Sequence, residues 1–271
     1  MKALTIIGVT GLVLSALPSC SDGKTNKTLC EFESYTKSAV YALAGSAADY
    51  GYSADVTVND SVALVIPVKL NNSPAEVLRD SILCRALGSY GSNVSDVIEN
   101  WIAEASKETG YTPVESAVAP AAADGFRRIQ GRIVNMSTDV FSYCIATSIY
   151  LPGAANGLET MDYLNYSLEE NRLITLSDLF TPEGLNELPA VIAEQAENNP
   201  RYAGEVTIES LPQNDNFYLS SEGEIVFSYQ PMEVGPHSLG NVQVAFTPAE
   251  LVAYMTPSAI KKYNLEDLVA E

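Results

Sequence analysis

The chain contains a single histidine, His237, and that fact bounds the chemistry open to it. A Ser–His–Asp or Cys–His mechanism would need this one imidazole beside an activated nucleophile, and no nucleophile-elbow signature accompanies it. An ordinary loop histidine is the simpler reading. Its neighbours Gly235, Pro236 and Gly240 define a stiff loop. Rigid loops on a sheet scaffold are where binding residues concentrate, so Gly235, Pro236 and His237 are candidate ligand contacts. Carboxylates are plentiful, 34 against 15 basic residues, and a glycosidase needs only two at a fixed separation. Glu159, Asp162, Glu169, Glu170 and Asp178 crowd one stretch, though Asp178 is better placed to cap or brace a helix than to donate a proton. Tyr143, Tyr150, Tyr163, Tyr166, Tyr218 and Tyr229 lie in or beside predicted strands. Exposed rings would stack on sugars or engage a basic protein, whereas the plain alternative is half-buried strand aromatics. Tyr163, Tyr166 and Tyr229 are kept as candidate contacts. No Cys-x-x-Cys, Cys/His cluster or calcium-loop spacing occurs. No catalytic residue, metal ligand or cofactor is therefore assigned, and the chain is read as a non-enzyme.

The amino terminus states where such a protein would work. Lys2 precedes an uncharged apolar run from Ala3 to Leu17, the pattern of a secretory signal. The run is shorter than the ~20 residues a membrane span needs. It ends in Leu17-Pro18-Ser19-Cys20, which resembles a lipobox, in which an aliphatic and two small residues precede a lipid-bearing cysteine. The expectation is a signal peptide over 1–19, lipid attachment at Cys20 and a polar tether over 20–30. The mature protein would then sit in the cell envelope, periplasmic or surface-exposed, held to a bacterial membrane by its lipid alone. Cytosolic partners such as ATP, nicotinamide cofactors and DNA are excluded by that placement.

The formal net charge of −19 repels nucleic acid and anionic lipid while favouring cationic partners. The acidic residues are scattered, so most of them serve solubility. With Cys20 acylated, Cys30, Cys84 and Cys144 remain, and one disulfide plus one buried thiol is the simplest arrangement in an oxidising compartment.

The elements that must hold these residues are legible in outline. Residues 54–70 read as one or two strands with a turn at Asn59-Asp60, and Ser73-Pro74-Ala75-Glu76 reads as a capping box opening a helix that carries Val77, Ile82 and Leu83 to Gly88. Val94, Val97, Ile98, Trp101, Ile102 and Ala105 form a helical stripe ending at Gly110, followed by a Pro/Ala-rich connector over 113–124. Strands follow at about 126–135, 139–151 and 161–169, the second apolar enough to be covered on both faces. Thr181-Pro182 starts a helix to about Asn198. A hairpin turns at Glu222-Gly223 within 216–229, a last strand spans 241–246, and Thr247-Pro248-Ala249-Glu250 and Thr256-Pro257 start short helices. Strands and helices come in blocks, which predicts an α+β fold with mixed or antiparallel sheets and flanking helices in two consecutive small domains, 31–150 and 151–265.

Three ordered segments carry a family resemblance: residues 153–180, with the turn Gly153-Ala154-Ala155-Asn156-Gly157, then Asn165-Tyr166 and Leu176-Ser177-Asp178-Leu179-Phe180; next Asn216-Phe217-Tyr218-Leu219 with Phe227-Ser228-Tyr229; and last Glu233 to Gly240. They resemble the RsiV-type extracytoplasmic domain (domain of unknown function 3298), and the preceding part is similar in layout to the small α+β domain found before it in RsiV and in peptidoglycan deacetylases. The resemblance implies a non-catalytic module that binds a protein, such as a basic lysozyme, or a peptidoglycan-related glycan, with Asn156 among the contacts. The alternatives are a cell-wall glycan hydrolase using a carboxylate pair and a structural envelope protein.

Overall fold

A computed structural model of the chain describes residues 11–13, 30–43, 56–70, 73–108, 111–113 and 123–269. Cys20, with most of the expected signal and tether, lies outside the described residues, as does most of the 113–124 connector. The fold is α+β. It forms two compact units, one of residues 1–132 and 145–159 and the other of residues 133–144 and 160–271. A single cut at 150–151, as the sequence suggests, does not separate them, because the chain passes between the units within three strands.

The first unit begins with β1 (Gly11–Val13), β2 (Glu31–Leu43), β3 (Thr57–Leu70) and β4 (Ser73–Pro74), followed by α1 (Glu76–Leu87), α2 (Val94–Glu108), β5 (Tyr111–Pro113) and the start of β6 (Gly125–Met136). β2 and β3 pair antiparallel from Ala42↔Thr57 to Glu31↔Lys69, and β6 joins β3 in parallel from Val58↔Gly125 to Leu64↔Gly131. A parallel pair needs a crossover connection, and α1 and α2 supply it. Val58, Val62, Leu64 and Ile66 alternate along one buried face of β3, and Leu78, Ile82 and Leu83 of α1 and Ile98 and Ile102 of α2 are buried in the same unit.

Two local expectations are corrected here. β3 runs unbroken through Asn59-Asp60, both buried, because Arg127 on neighbouring β6 meets Asp60 with two guanidinium nitrogens, Nε to Oδ1 at 2.7 Å and Nη2 to Oδ2. Ser73-Pro74 is drawn into β4, pairing with Leu70 and Lys69, so it does not cap α1. The helix consequently starts from Ala75, with Leu78 buried and Val77 exposed.

β7 (Val140–Tyr150) and β8 (Leu158–Ser167) follow, in the strand order β1-β2-β3-β6-β7-β8-β9. β7 is buried without a break from Val140 to Ile145, as a central strand should be. The second unit then continues through β9 (Arg172–Ile174), α3 (Leu176–Leu179), α4 (Pro182–Glu197), β10 (Phe217–Leu219), β11 (Ile225–Tyr229), β12 (Val242–Phe246), α5 (Pro257–Lys262) and α6 (Glu266–Val269). β10, β11 and β12 form a separate antiparallel sheet in that order. Its residues Phe227 and Phe246 join Phe180, Leu188, Ile192 and Leu251 in one core.

The sequence punctuation of this unit acts as predicted. Thr181 accepts from the Gly184 N–H at 3.0 Å, and Pro182 occupies the first turn of α4. Thr247 and Glu250 close a capping box, and Gly223 takes φ 85° in the β10–β11 turn. The backbone of Tyr254–Thr256 is stitched to Leu179–Thr181 (Thr181 N–H to Tyr254 carbonyl 3.0 Å, Thr256 N–H to Leu179 carbonyl 2.9 Å). That approach leaves no room for a side chain at Gly184, whose added Cβ would overlap the Tyr254 carbonyl. No disulfide joins Cys30, Cys84 and Cys144: Cys84 is exposed on α1, and Cys144 is buried within β7 of the other unit. Among the described residues no helix is long and apolar enough to cross a membrane.

Candidate functional site

The tyrosines kept as ligand contacts are core residues. Tyr163, Tyr166 and Tyr229 are 4%, 1% and 0% exposed, so their rings have no face to offer a ligand. Tyr163 stacks on Tyr218 at 4.4 Å, and its hydroxyl accepts from the Gln243 side chain at 2.8 Å. The Tyr166 hydroxyl donates to Asn171 at 2.6 Å, and that of Tyr229 to the Ser210 carbonyl at 3.0 Å. Burial raises the pKa of all three phenols and holds them neutral. The sequence carries a sign of this only at Tyr229, in β11, whose five residues include no charged side chain and are all buried.

The motif asparagines are likewise internal. Asn216 is 1% exposed; its side chain accepts the Tyr163 N–H at 2.9 Å and donates to the carbonyls of Met161 (2.9 Å) and Ser228 (2.8 Å). Asn165 donates to the Phe217 carbonyl at 2.8 Å and accepts from the Leu219 N–H at 3.0 Å and from Ser142 at 2.8 Å. Asn135 donates to the carbonyls of Leu219 and Ser220. The amides of Asn135 and Asn165 substitute for a strand along β10, and Asn216 ties β8 to β11, satisfying backbone groups that burial would otherwise leave unpaired. The most recognisable residues of the sequence therefore hold the fold together.

Asp178 also has a structural role. Its Oδ2 accepts from the Thr175 N–H at 2.7 Å and the Thr175 hydroxyl at 2.8 Å, and its Oδ1 meets Arg172 at 2.8 Å. Burial pushes its pKa up, but the bonds from Arg172 and Thr175 outweigh it and hold the carboxyl below its ordinary value. A carboxylate held in this way is a poor general acid at neutral pH. Among the described residues no group of three or more His, Cys, Asp or Glu side chains is placed to hold a metal ion.

Of the remaining candidates, Asn156, Pro236 and His237 are exposed and Gly235 is half-buried. Asn156 lies on a solvent-facing turn of the first unit, and Pro236 and His237 are exposed on the second. The segment Gln230–Gly240 is held firmly: Glu233 accepts the Gln230 N–H at 2.7 Å and the Gln213 N–H at 2.9 Å, the Val234 carbonyl accepts from Thr207 at 2.7 Å, and Arg201 donates to the Leu239 carbonyl at 3.1 Å. At Gly235 the backbone passes so close to the Glu205 carbonyl that a Cβ would stand 2.9 Å from it. This loop also displays Met232, 65% exposed and at φ 68°, a conformation unusual for a bulky side chain. No sequence pattern flagged it. Beside the loop's return into β12, a cleft of about 450 Å³ is lined by Gln195, Asn198, Asn199, Tyr202, Gln243 and Ala245.

Comparison with known proteins agrees with this architecture. A DUF3298 domain, described as a protein of unknown function, is present over residues 177–249. The chain is similar to a solved structure of a DUF3298 family member from Bacteroides fragilis, with TM-score 0.67 and 17% identity over 90% of this chain and 100% of that one. At that identity the likeness is one of fold. A DUF3298 family protein from Pseudomonas aeruginosa gives TM-score 0.47 and 10% identity over 83% of this chain and 95% of that one. No curated protein matches the chain.

Proposed function

We propose that this chain, with a DUF3298 domain over residues 177–249, is a lipid-tethered extracytoplasmic protein that binds a basic protein without acting on it. The observation that carries the reading is the Gln230–Gly240 loop. It is fixed by the Glu233, Thr207 and Arg201 hydrogen bonds, yet it presents an exposed Met232 in a strained backbone next to Pro236 and His237. A rigid loop loses little entropy on binding, and backbone strain persists where function needs it. The formal charge of −19 favours a cationic partner through faster encounter. The resemblance to the RsiV-type domain makes lysozyme the first such partner to try. Protein is favoured over glycan because Tyr163, Tyr166 and Tyr229, the rings kept as sugar-stacking candidates, are buried. The export pattern ending at Cys20 supports the tether and the envelope location.

Immobilised lysozyme should retain the purified protein at low salt and release it as salt rises, with Met232→Ser weakening retention. Absence of retention at every salt concentration sinks lysozyme as the partner. Incorporation of labelled palmitate, lost in Cys20→Ser, tests the anchor separately.

A further inference from the structure

We propose that the open edge of β12 is a peptide-binding site: an extended segment of a basic protein adds to it as a fourth strand, in the cleft against the carboxyl-terminal end of α4. This rests on the cationic-partner reading and says where the partner attaches. In an antiparallel edge strand, alternate residues aim both backbone groups away from the ladder. In β12 these residues are Gln243 and Ala245. The Gln243 N–H donates to the Tyr202 hydroxyl at 3.3 Å, and the Ala245 carbonyl accepts from the Gln195 side chain at 3.4 Å. Both bonds are longer than the usual range, so an arriving strand would displace them at small loss. By the same alternation the Gln243 carbonyl and the Ala245 N–H face that side, and neither has a partner among the described residues. Four groups on residues i and i+2 are the set an added strand bonds. The sheet's other edge, β10, is covered by the amides of Asn135 and Asn165.

Charge selects the occupant. The last two turns of α4 carry Glu194 and Glu197 and no basic residue in the final turn, although the carboxyl end of a helix favours cations. Glu197 accepts the Gly204 N–H at 3.0 Å. Arg201, the neighbouring cation, is engaged by the Leu239 carbonyl and lies over the Tyr202 ring at 5.5 Å. A lysine or arginine flanking the added strand would offset the acidic helix end. The cleft volume of about 450 Å³ falls in the range of sites that hold a defined ligand.

The test titrates isotopically labelled protein with an alternating Lys-Val octapeptide and follows amide shifts and hydrogen exchange by NMR. Expected are shifts centred on Gln195 and Gln243–Ala245, slowed exchange at the Ala245 amide, and no binding of the matching Glu-Val peptide. An alternately N-methylated Lys-Val peptide, unable to complete the ladder, should bind about tenfold more weakly. Ala245→Pro removes an amide that the β11–β12 pairing does not use but the added strand needs, and it should abolish binding in protein that keeps its thermal transition. Shifts mapping elsewhere, or equal binding of the Glu-Val or N-methylated peptide, overturn the site. Lysozyme retained equally by Ala245→Pro overturns the site and leaves the partner standing. Lysozyme not retained while the Lys-Val shifts map to the cleft does the reverse.

Discussion

Replacing Arg127 with methionine should destabilise the first unit strongly at neutral pH and much less in acid. Asp60 is fully buried and the Arg127 side chain is only 11% exposed, so the substitution strands a carboxylate in the interior. Breaking a buried pair from one side costs about 3–5 kcal/mol, a large fraction of the roughly 5–15 kcal/mol that holds a domain folded. The pH dependence follows from Asp60, whose pKa is raised, chiefly by burial, with the Arg127 hydrogen bond and charge pulling it back. Without Arg127 the carboxyl should rise further. A raised folded-state value favours the fold below the unfolded pKa of about 3.9, and that favour is lost as pH rises through the folded value. The gap between variant and parent should therefore be widest near pH 7 and close as Asp60 takes up a proton. Urea unfolding followed by the fluorescence of Trp101, the one tryptophan and a residue of α2, reads this unit directly. Adding Asp60→Leu to Arg127→Met should recover most of the loss, since replacing both members of such a pair is nearly neutral. A deficit below about 1 kcal/mol at pH 7, or one unchanged by acid, would refute the account.

Asn216→Ala removes three buried hydrogen bonds, to Tyr163, Met161 and Ser228. At about 1–3 kcal/mol for each group left unsatisfied, a loss of at least ~3 kcal/mol is expected in calorimetry, and a change below ~1 kcal/mol contradicts the bridging role of Asn216 between β8 and β11. Asp178→Asn should cost about 1 kcal/mol at neutral pH. Because the folded pKa of Asp178 is depressed, its contribution is present above the unfolded value and fades as pH falls through the folded one, so parent and variant should converge in acid. Gly184→Ala must push the Tyr254 backbone away; overpacking of about 1–3 kcal/mol should appear as a lowered urea midpoint. In the native protein iodoacetamide should label Cys84 but not Cys144, a difference that mass spectrometry of digested protein resolves and that equal labelling would contradict.

The second unit was the more legible because its turns are written in local chemistry. Thr181-Pro182, Glu222-Gly223 and Thr247-Pro248-Ala249-Glu250 fix element starts and turns within a few residues. The first unit depends on distant partners. Nothing local at Asn59-Asp60 announces that Arg127, on another strand, will make a buried aspartate tolerable, and Ser73-Pro74 has a good capping pattern that strand pairing with β3 overrides. The candidate site was legible only at Pro236 and His237, where the glycines on either side signal a loop. Tyr163 and Tyr166 are not recognisable as core from the sequence, because alternation cannot separate a half-buried strand from one covered on both sides. Met232 and the β12 edge carry no sequence signal, since exposure and unpaired backbone belong to the assembled sheet.

The interleaving of the two units governs how the protein can be taken apart. A fragment beginning at residue 151 would omit Ile133–Cys144, and with it Asn135, Val140 and Ser142, which brace β10 and the core of the later half. Such a truncation should yield insoluble or protease-sensitive material, however clean the boundary looks on paper. Any shuffling of this half between proteins would have to transplant the β6–β7 hairpin as well, so the segments must be inherited as a set.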